Sequence, residues 1–443
     1  MRKIISLFIC FLIVSEISKL LAQQTEMKLS LQEALQTATD NNRQINKAKE
    51  QGRVAKAEFR QTNSVFLPKL NLSHTAVATN DPLASFGFKL KQKITTSKDF
   101  NPILLNDPDR IENYNTKITV QQPILNFDGF YLRKAANTKM QAVDFTTARA
   151  INFTKFEVKK AYYQLELAQE AVDVIAKSVE TAKSALRQTK HNLEQGYAKE
   201  ADLLSAKVHL LEVNNQLEDA KNSQRQAGEW LAYILGLDIQ TTIVTTDKLN
   251  HVPSLLQALS ESDEGMRSDI MAYKKSLESH ENMLKSEKMR FLPRLNAFGA
   301  YGWNDSKLFG TSANNYMLGA SLSWDIFTGY KHAGKVQKAE AELKIAKFDL
   351  TDYQSRSNME IIAAKRNLKL TFNRIETNKL AKEQAEEAFR IRTNRYKQGL
   401  EKTIDVLHAE SMALMKKLDY INSLYNYHVA VFQLELLLEK VLQ

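Results

Sequence analysis

The chain has one cysteine in 443 residues, Cys10, and it lies inside an apolar N-terminal run. Everything after that run therefore lacks disulfides and thiolate metal sites. The sequence also lacks a further apolar stretch of the roughly 20 residues that a membrane-crossing helix needs. If such a chain enters a membrane it must do so as β-structure, because a closed sheet is the other way to pair every backbone group in hydrocarbon. It contains no His-Glu-x-x-His, no Gly-x-Ser-x-Gly and no phosphate-binding glycine loop. Its eight histidines are scattered without ligand spacing and read as surface or packing residues. No catalytic residue, cofactor or metal is assigned, and an enzyme reading has no supporting residues. The 61 basic and 51 acidic residues give a net charge of +10. They are spread along helical faces, without the basic run or interleaved aromatics of a nucleic-acid binder.

The N-terminus reads as a secretory signal over residues 1–22. Arg2 and Lys3 form its basic part, Ile4 to Val14 its apolar part, and Leu20-Leu21-Ala22-Gln23 offers a small-residue cleavage site. Removing Arg2, Lys3, Lys19 and Glu16 leaves 58 basic against 50 acidic residues, or +8. No cysteine follows the cleavage site to accept a lipid.

What the chain does contain, it contains twice. Phe66-Leu67-Pro68-Lys69-Leu70 returns as Phe291-Leu292-Pro293-Arg294-Leu295. Gln195-Gly196 with Asp202-Leu203-Leu204 and Ala206 returns as Gln398-Gly399 with Asp405-Val406-Leu407 and Ala409. Each copy places alternating segments before a long helix, a glycine tip and a second long helix. The expected division is a first repeat over 23–236, an irregular belt over 237–264 and a second repeat over 265–443.

Ser30 with Glu33 is a capping-box pattern, which predicts a helix from there to about Ser64. Pro68 ends it, and the period changes to two. Leu70, Leu72, Ala76 and Ala78 oppose Lys69, Asn71, Ser73 and Thr75. Three more segments alternate in the same way, giving predicted strands near 66–79, 115–125, 291–304 and 315–327. Each has an apolar and a small or polar face, as membrane barrel strands do. Tyr301, Trp303, Tyr316 and Trp324 near their ends suit an interfacial aromatic girdle. Asn80 to Asn113, with Pro82, Pro102 and Pro108, reads as a long exposed loop, and its counterpart Asn304 to Asn315 as a short one.

Ala161, Leu165, Ala168, Val172, Ile175, Val179, Ala182 and Leu186 step by four and three, as do Leu203, Ala206, Leu210, Val213, Leu217 and Ala220. Leu407, Ser411, Leu414, Leu418, Ile421 and Tyr425 repeat this in the second copy. A sustained seven-residue period implies left-handed coiled-coil packing. From Gly129 to Gly196 such a helix would rise roughly 100 Å. In the belt, Thr241 to Thr246 suits a short strand and Ser254 to Leu259 a short helix.

Four strands cannot close a membrane sheet, since single-chain barrels start at about eight. Oligomerisation follows, and three chains give twelve strands with a pseudo-sixfold ring of hairpins. Together these features give a mainly α fold with membrane β-structure. It comprises a duplicated strand–hairpin unit, a trimeric 12-stranded barrel and an α-helical coiled-coil tunnel.

The chain at this point resembles the TolC-like outer-membrane efflux proteins over nearly its whole length. The resemblance is carried by Leu31-Gln32-Glu33-Ala34-Leu35 with Asn41-Asn42, both Phe-Leu-Pro-basic-Leu segments and Arg267-Ser268-Asp269. Phe127-Asp128-Gly129, Phe327-Thr328-Gly329 and Arg395-Tyr396-Lys397-Gln398-Gly399 with Asp405-Val406-Leu407 complete it. It implies a homotrimer in outer-membrane lipid with a periplasmic tunnel. Such a duct passively conducts cargo for a tripartite efflux or type I secretion system. Its implied partners are a periplasmic adaptor and an inner-membrane transporter.

Gly196 and Gly399, with Gln195 and Gln398, are then the hairpin tips, the periplasmic mouth and the adaptor-docking surface. Asp202 and Asp405 follow the turns; they are positioned to cap helices and to form a carboxylate ring at the entrance. In the family, aspartate, tyrosine and arginine side chains link the closed tips. Asp405, Tyr396 and Asp202 match that pattern. His408 stands at the second ring position and Glu401 at the arginine position, two departures from it. The expected constriction joins carboxylates and imidazoles, with a cation preference that changes as His408 protonates near about pH 6 to 7. The asymmetry of the copies points to the second hairpin as the gate. The alternative reading is a periplasmic adaptor or coiled-coil scaffold.

Overall fold

The computed structural model describes residues 26–249 and 267–440. The signal segment and Ser254 to Leu259 lie outside them. In chain order the elements are β1 (Glu26–Leu29), α1 (Leu31–Asn41), α2 (Arg43–Gln61), β2 (Lys69–Thr79), α3 (Pro82–Lys91) and α4 (Pro102–Asn106). β3 (Ile111–Leu125), α5 (Phe127–Glu194), α6 (Glu200–Leu235) and β4 (Thr242–Thr245) follow. The rest are α7 (Ser268–Met289), β5 (Arg294–Asp305), β6 (Ala313–Ser323), α8 (Lys331–Lys397) and α9 (Thr403–Leu438). Two compact units result, one of residues 26–51, 145–249, 267–271 and 352–440, the other of 52–144 and 272–351. Among the described residues no helix is long and apolar enough to cross a membrane.

In the first unit the capping box forms as its residues dictate. The Ser30 backbone N–H donates to Glu33 at 2.8 Å and the Glu33 N–H donates to the Ser30 hydroxyl at 3.3 Å. The helix does not continue to Ser64. It breaks at Asn42, whose backbone is extended. The Asn42 Oδ1 accepts from the N–H groups of Gln44 and Ile45, while its Nδ2 donates to the Ile234 carbonyl at 2.6 Å. One side chain thus starts α2 and ties the break to α6. Gly236 ends α6 in the left-handed region at φ +74, where a Cβ would stand 2.6 Å from the Asn41 carbonyl oxygen. Only glycine fits there.

The core of this unit gathers Tyr162, Leu165, Leu231, Leu235, Leu424, Tyr427 and Leu434. The alanine-rich seam is buried, with Ala161, Ala168 and Ala182 below a tenth exposed, so α5 packs closely on its neighbours. The 237–249 part of the expected belt lies against these helices. β4 pairs in parallel with β1, a strand not expected from the sequence. Tyr162 holds the pair in place, donating to the Leu29 carbonyl at 2.8 Å and accepting from the Thr246 and Asp247 N–H groups at 3.1 Å.

Arg267-Ser268-Asp269 is a buried electrostatic node. Asp269 accepts from Arg267 at 3.0 and 2.7 Å, from the Tyr353 hydroxyl at 2.7 Å, and pairs with Arg149 at 3.0 Å. Burial alone would raise the Asp269 carboxyl; the hydrogen bonds from Arg267 and Tyr353 and the nearby cations outweigh it and hold the carboxyl below its ordinary range. Burial, reinforced by the bond to Asp269, pushes the Tyr353 phenol up to about 12.

The second unit is built on an antiparallel sheet of order β2-β3-β5-β6. Its register aligns the four alternating segments. Leu70 opposes Val120, Leu72 opposes Ile118, Ile118 opposes Tyr301, and Tyr301 opposes Tyr316. Every apolar set therefore falls on one face, and Lys69, Asn71, Ser73, Lys117, Thr119, Gln121 and Asn296 fall on the other. Trp324 lies just past β6 and donates its indole N–H to the Phe291 carbonyl at 2.9 Å. Within the second Phe-Leu-Pro-basic-Leu segment, Arg294 binds the buried Asp128 of Phe127-Asp128-Gly129, Nε to Oδ1 at 3.0 Å. The expected loop from Asn80 to Asn113 instead carries α3, α4 and the start of β3. Pro82 and Pro102 begin those helices at the position where proline is tolerated.

Candidate functional site at the hairpin tips

Each hairpin turns through five residues, 195–199 between α5 and α6 and 398–402 between α8 and α9. Gly196 has φ +79 and Gly399 φ +74, and nothing lies within 4 Å of a Cβ built on either. Glycine is required there by the backbone alone. Gln195 and Gln398 beside them are exposed, as is Tyr197 at 82%.

Beyond the turn the two tips diverge. Asp202 accepts from the Lys199 backbone N–H at 2.9 Å and so caps its own helix. Asp405, at the same helical position, makes no side-chain hydrogen bond among the described residues. It is partly exposed, and His408 one turn on is exposed. The two lie on one face of α9.

Tyr396 does not reach Asp202. Its hydroxyl lies 3.1 Å from the hydroxyl of Thr189, a residue of α5 with no exposure, and accepts from Thr403 at 3.2 Å. Thr189 already donates to the Ala185 carbonyl at 2.9 Å, so its single proton is committed and Tyr396 is the donor to it. A directed chain of hydroxyls therefore joins the second hairpin to the first. Glu401 does not take the role of an arginine that reaches outward. Arg392 and Arg395 of the same hairpin hold it, each at 3.0 Å.

Two turns above the tip, α9 buries Glu410 where the seam pattern assigns Ser411, which is exposed. Glu410 is 4% exposed; it accepts from Ser178 of α5 at 3.2 Å and lies 3.1 Å from His209 Nε2 of α6. Ser178, His209, Glu410, Thr189 and Thr403 were not singled out in the sequence. A polar residue beside a heptad seam gives no signal until the facing helices are placed. No group of three or more possible metal ligands occurs among the described residues.

The sequence matches the family described as "Outer membrane efflux protein" over residues 34–237 and 261–439. It is 21% identical over 308 residues to the outer membrane protein TolC of Vibrio cholerae, covering 68% of this chain and 70% of that protein. The outer membrane protein VceC of Vibrio cholerae superposes with a TM-score of 0.77 at 18% identity, covering 93% of this chain and 97% of its own. The CmeC outer membrane channel of Campylobacter jejuni gives 0.77 at 17% identity, covering 92% and 85%. The chain belongs to the outer membrane efflux protein family, and it is an outer-membrane exit duct with a periplasmic helical tunnel rather than an adaptor.

Proposed function

We propose that three copies of this chain close one 12-stranded barrel and one helical tunnel, and that the duct docks on a periplasmic adaptor and an inner-membrane transporter. One observation carries the trimer. The four-stranded sheet leaves β2 and β6 as edges while its apolar face is bare, with Leu70 at 69%, Leu72 at 70% and Leu318 at 76% exposure. In hydrocarbon each unpaired edge group costs several kcal/mol, so β6 of one copy must pair with β2 of the next. Heat-resistant trimers in outer-membrane fractions are the expected result. A soluble periplasmic monomer would overturn the reading.

Asp405 and His408 form the entrance ring, with Tyr396, Glu401 and Asp202 setting the rest of the gate. The uncommitted Asp405 carboxylate supports this, since it is not spent on its own helix. Single-channel recordings of Asp405→Asn and His408→Ala should each show a changed cation preference; an unchanged preference in His408→Ala removes His408 from the gate. Gly196, Gly399, Gln195 and Gln398 present the adaptor surface. A photo-crosslinker at Gln398 is expected to capture the adaptor.

A further inference from the structure

We propose that residues 80–110 form a second constriction, at the exit end of the barrel, in which the insertions of three copies meet. The inference rests on the trimeric barrel and on the side of the sheet that the insertion covers. At the end of the sheet that carries the β5–β6 turn, the residues buried are Asn113, Gly302, Asn304 and Ala313. By register all four lie on the polar face, which in a closed barrel lines the lumen. Over Asn113 the cover is the insertion. Gln92, 4% exposed, donates to the Glu112 carbonyl at 2.8 Å and to the Asn113 side chain at 3.0 Å. Ser85, 1% exposed, reaches back to the Thr79 carbonyl at 3.4 Å. The short β5–β6 loop goes the other way. Its Phe309 stacks 4.4 Å from His74, which belongs to the apolar face. The long loop therefore turns into the lumen and the short one out of it.

The insertion is ordered on its own terms. Lys89 pairs with Asp99 at 2.8 Å, and Phe86 meets Phe100 edge-on at 5.5 Å. It nonetheless leaves Leu83, Ile94, Phe100 and Ile103 at 87, 51, 62 and 77% exposure. Lipid does not reach the lumen side of a barrel. Around a threefold axis the surface available to these side chains is the same segment of the neighbouring copies, and burying it there removes apolar area from water. Three such segments narrow the mouth and limit the size of solutes that pass.

The test uses full-length protein in intact cells. A Thr119→Cys reporter, on the polar face, is placed in a Cys10→Ser background and labelled from outside with membrane-impermeant maleimides of increasing size. Deleting 82–109, or releasing the insertion with Gln92→Leu, is expected to speed labelling by the bulky reagents severalfold and leave the small one unchanged. The point variant covers the case in which the deletion does not assemble. Ile103→Cys treated with a bis-maleimide is expected to give covalently linked copies. Unchanged bulky-reagent rates, or no linked copies, in protein that runs as heat-resistant trimers overturns the constriction alone. Absence of trimers in the unmodified chain overturns the barrel reading instead.

Discussion

The two hairpin tips share a backbone and differ in what their side chains are bound to. Both turn through a glycine in the left-handed region and place an aspartate three residues into the following helix. In the first, that aspartate is used up as a cap. In the second it is left over, and the turn is held by Arg392 and Arg395 on Glu401 and by the Thr403–Tyr396–Thr189 hydroxyl chain. Duplication supplied two equivalent scaffolds; side-chain bonding made one a closed structural end and the other a tip with an uncommitted charge. The links between the hairpins also weaken toward the tips, from the buried ions at Asp269, through one buried carboxylate at Glu410, to neutral hydroxyls at Tyr396.

That gradient can be broken from its strong end. Asp269→Ala leaves the buried Arg267 without a carboxylate, while Arg149 keeps Glu439 at 3.1 Å, and should cost about 3–5 kcal/mol, read as a lower unfolding temperature of the detergent-solubilised protein. The pH dependence has a definite sign. Because the folded Asp269 carboxyl is held below its ordinary value of 3.8, its contribution is complete above that value and is lost as pH falls through the depressed one. Wild-type protein should lose stability in that acid range, and Asp269→Ala should lose less. Glu410→Ala leaves buried partners on Ser178 and His209 and should cost about 1–3 kcal/mol. Hydrogen exchange should then quicken in the first half of α9 but not in its second.

At the tips the effects are smaller. Tyr396→Phe removes one donor and one acceptor and should cost about 1 kcal/mol. Its expected readout is more frequent channel opening in planar bilayers, while an unchanged open probability would take Tyr396 out of the gate. The comparison is sharpest between the aspartates. Asp202→Ala should fray the start of α6 by about 1 kcal/mol in hydrogen exchange and leave ion selectivity alone. Asp405→Asn should leave protection alone and reduce cation preference. Equal behaviour of the pair would mean that the difference in capping has no functional consequence.

Much of this was legible because it depends on periodicity. The period-two segments became β2, β3, β5 and β6, and the register put their apolar sides on one face. The break at Asn42 was not legible, since the Asn41-Asn42 pair suits either a helix interior or a cap until the Ile234 carbonyl is placed beside it. In the insertion the prolines suggest a loop from sequence alone, because proline breaks helix interiors, yet Pro82 and Pro102 start helices. Stepping by four and three from Leu407 puts Ser411 on the seam, whereas the buried residue is Glu410, because its partners lie on two other helices.

By itself, then, the amino-acid sequence determined the duplication, the membrane-strand alternation, the glycine turns and the family, all of which are written in local spacing. Tertiary structure alone decided which aspartate is spent on a cap, which hydroxyls join the hairpins and which face of the sheet the long insertion covers. Those depend on residues far apart in the chain, for which hydrogen-bond partners and burial are set by packing and not by period.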